Sequence, residues 1–201
     1  EYMAAYMSHI KAGKPEVKAA KLESAKRVCE SYRIKFAGVD INKSDADYIP
    51  TGKNMIRVGF SAIKGMGENI VTAIIQERKE NGEFTSPTDF LFRVPCIGKE
   101  AFSALARLGA FNSIYSKQSL ICTYYDEIFE SVKKVLSAQK KAEKKDDKIS
   151  RSLFGDDVLN ELKRKPPTME EALPYDYKEA KPYTDRLLMD SEQEFYSFYA
   201  T

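Results

Sequence analysis

The sequence predicts a mainly α-helical fold with a small β ribbon. Three observations support this fold class: apolar residues recur at helical spacing along most of the chain, two short segments alternate as strands do, and two glycine turns open directly into helices. With 201 residues, of which 43% are hydrophobic, the chain is long enough for one sizeable core or two small ones.

The first segment predicts two helices. Pro15 would begin the second helix in its first turn, where a missing N–H does no harm, and Gly13 would end the first. The apolar stripe of the first helix comprises Met3, Tyr6, Met7 and Ile10. The apolar face of the second comprises Val17, Ala20, Ala25, Val28 and Tyr32. We interpret its lysines and arginines mainly as a solvated surface.

Residues 34–37 and 55–60 alternate as short strands and are expected to pair as a ribbon. The segment between them is rich in turn formers and contains Asp45 and Asp47. Paired carboxylates can hold the metal ions of nucleotidyl transfer, but these two lie in a polar loop without a third carboxylate. We interpret them, and likewise residues 146–147 and 156–157, as solvated turn or helix-end residues.

The first glycine turn contains Gly65, Met66 and Gly67, and an apolar helical stripe follows at Ile70, Val71, Ile74 and Ile75. Glycines can adopt positive φ and let the backbone approach a ligand, and the first N–H groups of a helix favour an anion. The pattern resembles the hairpin of a helix-hairpin-helix motif, which holds nucleic-acid backbone. A tight turn between packed helices, with no ligand, explains the glycines equally well.

A second turn-into-helix unit follows about thirty residues later. Gly82 would close the first unit, Ser86 and Pro87 would begin a short helix, and Gly98 and Lys99 would open another that ends at Gly109. The two units are expected to share a core of Ile74, Ile75, Phe90, Phe102, Leu105 and Leu108.

Beyond this unit Ser116 is expected to cap one long helix. Its inner face would hold Leu120, Ile121, Tyr124, Ile128, Val132, Val135 and Leu136. The charged run at residues 140–148 predicts a solvated helix end or linker, and prolines 166 and 167 would end a short helix begun near Asp156. The last helix, from Thr184, has a partly exposed apolar face and is a candidate self-association patch. That face comprises Leu187, Leu188, Phe195, Phe198 and Tyr199.

Composition restricts the kind of protein. A net charge of +2 means that any basic site must be local. The three cysteines (Cys29, Cys96 and Cys122) are far apart and His9 is the single histidine, so no zinc site is expected. The apolar runs are all shorter than the roughly 18 residues of a membrane span. We therefore expect a cytoplasmic protein with reduced thiols and no membrane contact.

Several motifs occur in the order found in one family. Residues 56–67, IRVGFSAIKGMG, resemble the "IR-x-GL-x-x-IKG-x-G" segment of the bacterial DNA polymerase III alpha subunit. Further likenesses, in the same order, are residues 1–5 to "EFMAA", 39–44 to "PDIN-x-S", 77–90 to "ER…G-x-F…DF", 105–112 to "LI-x-x-GAFD", 152–155 to "SLFG" and 187–201 to "LL-x-x-EKE-x-LGFYLSGHPL". Departures at Gly38, Val71, Gly98 and Tyr196 suggest a divergent relative.

The resemblance implies a tandem helix-hairpin-helix domain attached to the helical end of a fingers domain. In this division residues 1–53 form the C-terminal part of the fingers domain and residues 54–115 form the tandem helix-hairpin-helix domain. A long helix (116–139), a charged linker (140–152) and a helical connection (153–201) follow. The family's palm aspartates and their magnesium ions lie upstream. Its oligonucleotide-binding and clamp-binding regions lie downstream. We therefore expect a fragment without catalytic or metal-binding residues, inactive alone, whose partners are primer-template duplex and the remaining polymerase domains.

The implied DNA contacts are to phosphates. One phosphate would meet the backbone N–H groups of residues 65–68, with help from the side chains of Lys64 and Asn69, and a second would meet Gly98 and Lys99. The expected set of DNA-binding residues is Lys64, Gly65, Met66, Gly67, Glu68, Asn69, Gly98 and Lys99. The alternative is a non-catalytic interaction module in which the same hairpins pack only against protein.

Overall fold

The structure, a computed structural model, describes residues 1–10, 15–52, 54–146, 165–178, 180–196 and 200. A short 3₁₀ helix, Phe60–Ala62, precedes the third α-helix. The other elements are α1 (Tyr2–His9), α2 (Pro15–Ser31), β1 (Lys35–Ala37), β2 (Ile49–Pro50), β3 (Met55–Arg57), α3 (Glu68–Asn81), α4 (Pro87–Arg93), α5 (Lys99–Arg107), α6 (Gln118–Thr123), α7 (Tyr125–Asp146), α8 (Met169–Ala172) and α9 (Asp185–Tyr196). The predicted fold class, mainly α with a small β element, is confirmed.

The two N-terminal helices form as predicted, but the face predicted for α2 is wrong except at Ala25, which is buried. Val17, Val28 and Tyr32 are exposed, whereas α2 buries Leu22, Ala25 and Cys29. The α2 sequence carries two neighbouring apolar stripes at helical spacing, and packing decides which one faces the core. In α1 the buried residues are Ala4 and Met7, and Ile10, directly after the helix, is buried as well, while Tyr6 is exposed. Gly13 lies outside the described residues.

The β element is a three-stranded sheet in the order β1-β3-β2. The expected pairing of the two predicted strands is confirmed, and it is parallel, with Phe36 opposite Ile56. The short strand β2, which the sequence did not predict, adds an antiparallel edge with Pro50 opposite Ile56. Pro50 is suited to an edge strand, because no further described strand pairs on the outer side and its missing N–H leaves no hydrogen bond unmade there. The last residues of the predicted second strand differ, since Phe60 begins the 3₁₀ helix.

The acidic loop 45–47 lies directly against the start of the first unit. Phe60 N–H donates to the Asp45 carbonyl and Ser61 N–H to the Ala46 carbonyl, both at 2.9 Å. A Cβ placed on Gly59 would lie only 2.4 Å from the carbonyl carbon and oxygen of Asp47. The absence of a side chain at Gly59 therefore permits this close approach. The Asp45 carboxylate accepts the Ala46 N–H at 2.8 Å, a local turn contact.

The two helical units share one aromatic core. Phe90 packs edge-on against Phe84 and tilted against Phe111, and Phe102 contacts both Phe111 and Phe129. Of the six predicted core residues, Ile74, Phe90, Phe102, Leu105 and Leu108 are buried, and Ile75 is partly buried against the same cluster.

The predicted helix boundaries in these units are confirmed. The hydroxyl of Ser86 accepts the Asp89 N–H at 3.0 Å and Pro87 occupies the first turn of α4. Gly82 follows α3 with φ of 80°, and Gly109 follows α5 with φ of 71°.

The single long helix predicted after Ser116 is wrong. The chain forms α6 and α7 instead, which meet at Tyr124, and Lys117 rather than Ser116 precedes α6. Helix α7 buries Ile128, Phe129 and Val132 and continues to Asp146, so the charged residues 140–146 form a helix end, one of the two alternatives expected for this run. Residues 147–164, with the short helix expected near Asp156, lie outside the described residues.

The last helix, α9, forms as predicted, and its apolar face is partly exposed as expected, with Leu187 exposed and Leu188 and Phe195 half-buried. Its buried residues are Ser191, Glu192 and Tyr196, whereas Leu187 and Met189 are exposed. Phe198 and Tyr199 lie outside the described residues. Within the described part of the chain, no helix is long and apolar enough to cross a membrane.

Candidate nucleic-acid interface

The first hairpin joins the 3₁₀ helix to α3 through residues 63–67. Gly65 has φ of 84°, which favours glycine, whereas Gly67 has φ of −69° and ψ of 150° and is extended. Of the two glycines, only Gly65 therefore uses the positive φ that a glycine can adopt. The Met66 side chain is buried, and its N–H donates to the Ile63 carbonyl at 3.1 Å, so these two residues anchor the turn.

Four main-chain donors remain available in this hairpin. The N–H groups of Gly65, Gly67, Glu68 and Asn69 donate to no other residue that the structure describes. Gly67 is the N-cap of α3 and supplies no side-chain oxygen to occupy them. The N–H of Met66, which was also predicted as a donor to phosphate, forms a hydrogen bond inside the turn and is not available to a ligand.

The surroundings of this turn are open. Lys64, Glu68 and Asn69 have exposed side chains, and a Cβ added at Gly65 or Gly67 would meet no heavy atom within 4 Å. The turn can therefore be approached closely by an anion, with the ammonium group of Lys64 beside it.

The second hairpin repeats the first, 31 positions later (67 to 98). Gly98 is extended, with φ of −84° and ψ of 160°, and is the N-cap of α5 without a side-chain cap. The Ile97 N–H donates to the Val94 carbonyl at 3.2 Å, as that of Met66 does to Ile63. The buried side chains also correspond pairwise: Phe60 with Leu91, Ile63 with Val94, Met66 with Ile97, Val71 with Phe102, and Ile74 with Leu105.

The charges at the second hairpin differ from those at the first. The ammonium of Lys99 forms an ion pair with the carboxylate of Asp126 in α7, and this hydrogen bond raises the pKa of Lys99. Lys133, also in α7, donates to the Pro95 carbonyl at 2.7 Å, and burial lowers its pKa. Lys99 was predicted as a phosphate contact, and its charge is instead paired within the protein.

Helix α9 packs against the first hairpin and the end of α5. The Lys64 N–H donates to the Phe195 carbonyl at 3.0 Å, and the hydroxyl of Tyr196 accepts the Val39 N–H at 3.2 Å. Arg107 lies 4.9 Å from the Phe195 ring centre and donates to Glu194 at 2.6 Å, a hydrogen bond that raises the pKa of Arg107. No local sequence pattern could have shown these contacts, because they join residues far apart in the chain.

Three other arginines of this region have structural contacts. Arg57 donates to the Gly38 carbonyl at 3.0 Å, and Arg78 donates to the carbonyls of Ile41 and Ser44. Arg93 donates to carbonyls at the end of α3 and to the Glu77 carboxylate, and it stacks on Phe84 at 4.5 Å. Lys64 is thus the exposed cation at the hairpins for which the described residues provide no ion pair. Among the described residues there is also no group of three or more His, Cys, Asp or Glu that could hold a metal ion.

Comparison with known proteins assigns this region to a motif. A family model described as "Helix-hairpin-helix motif" matches residues 33–120, which include both hairpins. The chain is also similar to the DNA polymerase III subunit alpha of several bacteria. It is 28% identical to that of Saccharopolyspora erythraea over 134 residues, 37% to that of Aquifex aeolicus over 81 and 26% to that of Borreliella burgdorferi over 164.

These matches cover much of this chain and little of the relatives. The three alignments take in 66%, 39% and 81% of the chain but 11%, 7% and 13% of the relatives. The chain thus spans about a tenth of the length of the curated relatives that it matches. The motif order, the fold and these alignments agree, and the chain is a divergent relative of DNA polymerase III subunit alpha that contains a helix-hairpin-helix region.

Proposed function

We propose that this chain binds the sugar–phosphate backbone of duplex DNA, without reading base sequence, as part of a replicative DNA polymerase. The observation that carries the proposal is the first hairpin. Four main-chain N–H groups at the start of α3 are free of other described residues, lie in open space and have the exposed Lys64 beside them. The match to the helix-hairpin-helix family supports nucleic acid as the ligand.

The site consists of Lys64, Gly65, Gly67, Glu68 and Asn69. The N–H groups of the glycines and of the first residues of α3 bind one phosphate, and the dipole of α3 favours its negative charge. Met66 makes no contact with the phosphate, and its buried side chain anchors the turn that carries the donors. The Glu68 carboxylate repels a phosphate, so its exposed side chain turns away from the bound anion.

Sequence-independent binding follows from the kind of donor. Main-chain N–H groups and a lysine reach phosphate oxygens, which are the same at every base step, whereas sequence is read by contacts with base edges. Binding through so few charges is weak at physiological salt, since each neutralised phosphate contributes about −0.9 to the slope of log K against log salt.

Polymerisation itself is assigned to other parts of the polymerase. In this proposal the catalytic aspartates and their magnesium ions lie outside this chain. The chain alone is then inactive in nucleotide incorporation, and the sliding clamp contacts regions beyond residue 201. The parts 1–53, 54–115, 116–139, 140–152 and 153–201 remain our proposed division, with α6 and most of α7 in the third.

The test is a titration of fluorescently labelled duplex DNA at several salt concentrations. We expect binding that weakens with salt, that is equal for duplexes of unrelated sequence, and that loses about one unit of salt slope in the Lys64→Ala variant. Lys35→Ala, on the strand β1, is the matched control and should bind as the unaltered chain does. Absence of binding even at low salt would contradict the proposal.

A protein-interaction role is the second candidate function. It is favoured by the second hairpin, where Lys99 and the Pro95 carbonyl make polar contacts with side chains of α7. The same titration separates the two candidates, because an interaction module binds no duplex at any salt concentration.

A further inference from the structure

We propose that Asp126 closes the second hairpin to phosphate, so that the chain holds the duplex backbone through the first hairpin alone. The inference rests on the proposed function and adds to it the number of phosphates contacted. The N-cap glycines of the two hairpins, Gly67 and Gly98, have similar dihedral angles and would otherwise predict two similar contacts.

The two hairpins are alike at the glycine that precedes each helix and differ in the charges around it. Gly67 and Gly98 have nearly the same dihedral angles, each precedes a helix without a side-chain cap, and each has open space for an added Cβ. The family match covers both turns. The turns differ two residues earlier, since Gly65 has φ of 84° whereas Cys96, at the matching position, does not have positive φ. The start of the helix itself has the same backbone geometry in both hairpins.

At the second hairpin the lysine that would attract a phosphate is already paired with a carboxylate of the protein. Asp126 forms its ion pair with the ammonium group of Lys99, the first residue of α5, so the positive charge beside this helix start is already compensated. Glu130, one turn further along α7, also acts on Lys99 and raises its pKa. An incoming phosphate would meet these carboxylates and a lysine whose charge is already compensated.

Helix α7 holds Asp126 in this place through its own packing. Ile128, Phe129 and Val132 are buried, and Phe129 contacts Phe102 of α5 with ring centres 6.4 Å apart. Lys133 then ties the same helix to the Pro95 carbonyl within the hairpin. The ion pair is itself half-exposed, with side-chain exposures of 40% for Lys99 and 49% for Asp126. Asp126 can therefore be replaced without opening the core.

The test compares Asp126→Asn with the matched control Glu127→Gln in the full chain. Glu127 is exposed and also lies in the first turn of α7, so both variants remove one negative charge from the same helix end. We expect Asp126→Asn to bind duplex DNA several-fold more tightly at low salt, and its salt slope to steepen by about 0.9, the value for one additional phosphate. Glu127→Gln should leave both quantities unchanged. Asp126→Ser provides a second variant that retains a helix-start residue.

A further substitution locates the new contact. Adding Gly98→Ala to Asp126→Asn should return the salt slope to that of the unaltered chain, while Gly98→Ala alone changes nothing. Equal behaviour of Asp126→Asn, Asp126→Ser and Glu127→Gln overturns the inference, and it leaves the proposed function intact if Lys64→Ala still weakens binding. Absence of binding by the unaltered chain and by both Asp126 variants overturns both. Binding by the Asp126 variants alone supports the closed second hairpin and contradicts the role of the first.

Discussion

Replacing Gly67 by alanine separates the ligand role of the first hairpin from its structural role. The backbone at Gly67 is extended, and the added Cβ has no heavy atom within 4 Å, so the fold accepts the methyl group without strain. A glycine-to-alanine change at such a position stabilises by about 0.4–1 kcal/mol through the unfolded chain. Alanine is a poorer N-cap by about 0.5–1 kcal/mol. The two effects nearly cancel, so the free energy of unfolding should change by less than about 0.5 kcal/mol.

The same methyl group is expected to weaken DNA binding strongly. It stands beside the free N–H of Gly67, where the phosphate must approach. A hydrogen bond to a charged group contributes about 1.5–3 kcal/mol, and 1.4 kcal/mol corresponds to a tenfold change in affinity. Loss of that contact should therefore raise the Kd by about 10- to 150-fold at low salt.

The assay measures fluorescence anisotropy of labelled duplex, together with urea unfolding, for Gly67→Ala and the matched variant Gly98→Ala. Gly98 has nearly the same dihedral angles and open surroundings, and the ammonium group of the next residue, Lys99, is paired with the Asp126 carboxylate. It should therefore keep normal affinity. Gly65→Ala is less informative because φ of 84° costs an alanine about 1–2 kcal/mol of folding stability. If Gly67→Ala binds within about twofold of the unaltered chain, the hairpin does not hold phosphate in the proposed way.

Three further predictions concern the fold around the site. Gly59→Ala should lower the free energy of unfolding by about 1–3 kcal/mol in urea titration, because its Cβ would overlap the Asp47 backbone; an unchanged midpoint would contradict that close approach. Arg93→Lys should lower the free energy of unfolding by about 2–4 kcal/mol, since one ammonium group cannot make the several hydrogen bonds of the guanidinium. A loss below about 0.5 kcal/mol, the effect of a surface substitution, would show that these contacts are dispensable. Iodoacetamide at pH 8–9 should label exposed Cys96 and spare Cys122, because burial raises the pKa of Cys122 to about 12 and keeps its thiol protonated through this range; mass spectrometry of both sites checks the order.

Features governed by local chemistry were predictable from the sequence. Ser86 followed by Pro87 specifies the start of a helix through a hydroxyl acceptor and a fixed φ, and both act within four residues. Gly65 and Gly82 were recognised as turn residues for the same reason, and both have positive φ. The apolar spacing at Val71 and Ile74 likewise predicted the buried face of α3.

Where the sequence contains two competing local patterns, the prediction of the buried face or of the helix boundary was wrong. In α2 the stripe through Val17 and Val28 is as apolar as the one through Leu22 and Cys29, and only contact with α1 distinguishes them. The break between α6 and α7 at Tyr124 was missed for a similar reason, since the apolar spacing continues across it. Burial depends on what lies opposite a residue, which its neighbours in the chain do not specify.

The sequence by itself determined the two glycine turns, the helices that follow them and the family to which the chain is related. Those features depend on residue types a few positions apart and on motif order. Only the tertiary structure decided that the two turns differ in charge, because Asp126 reaches Lys99 from another helix and Phe195 receives the Lys64 N–H from the last one. Charges act through space, so the electrostatics of a site follow from the packing of distant segments.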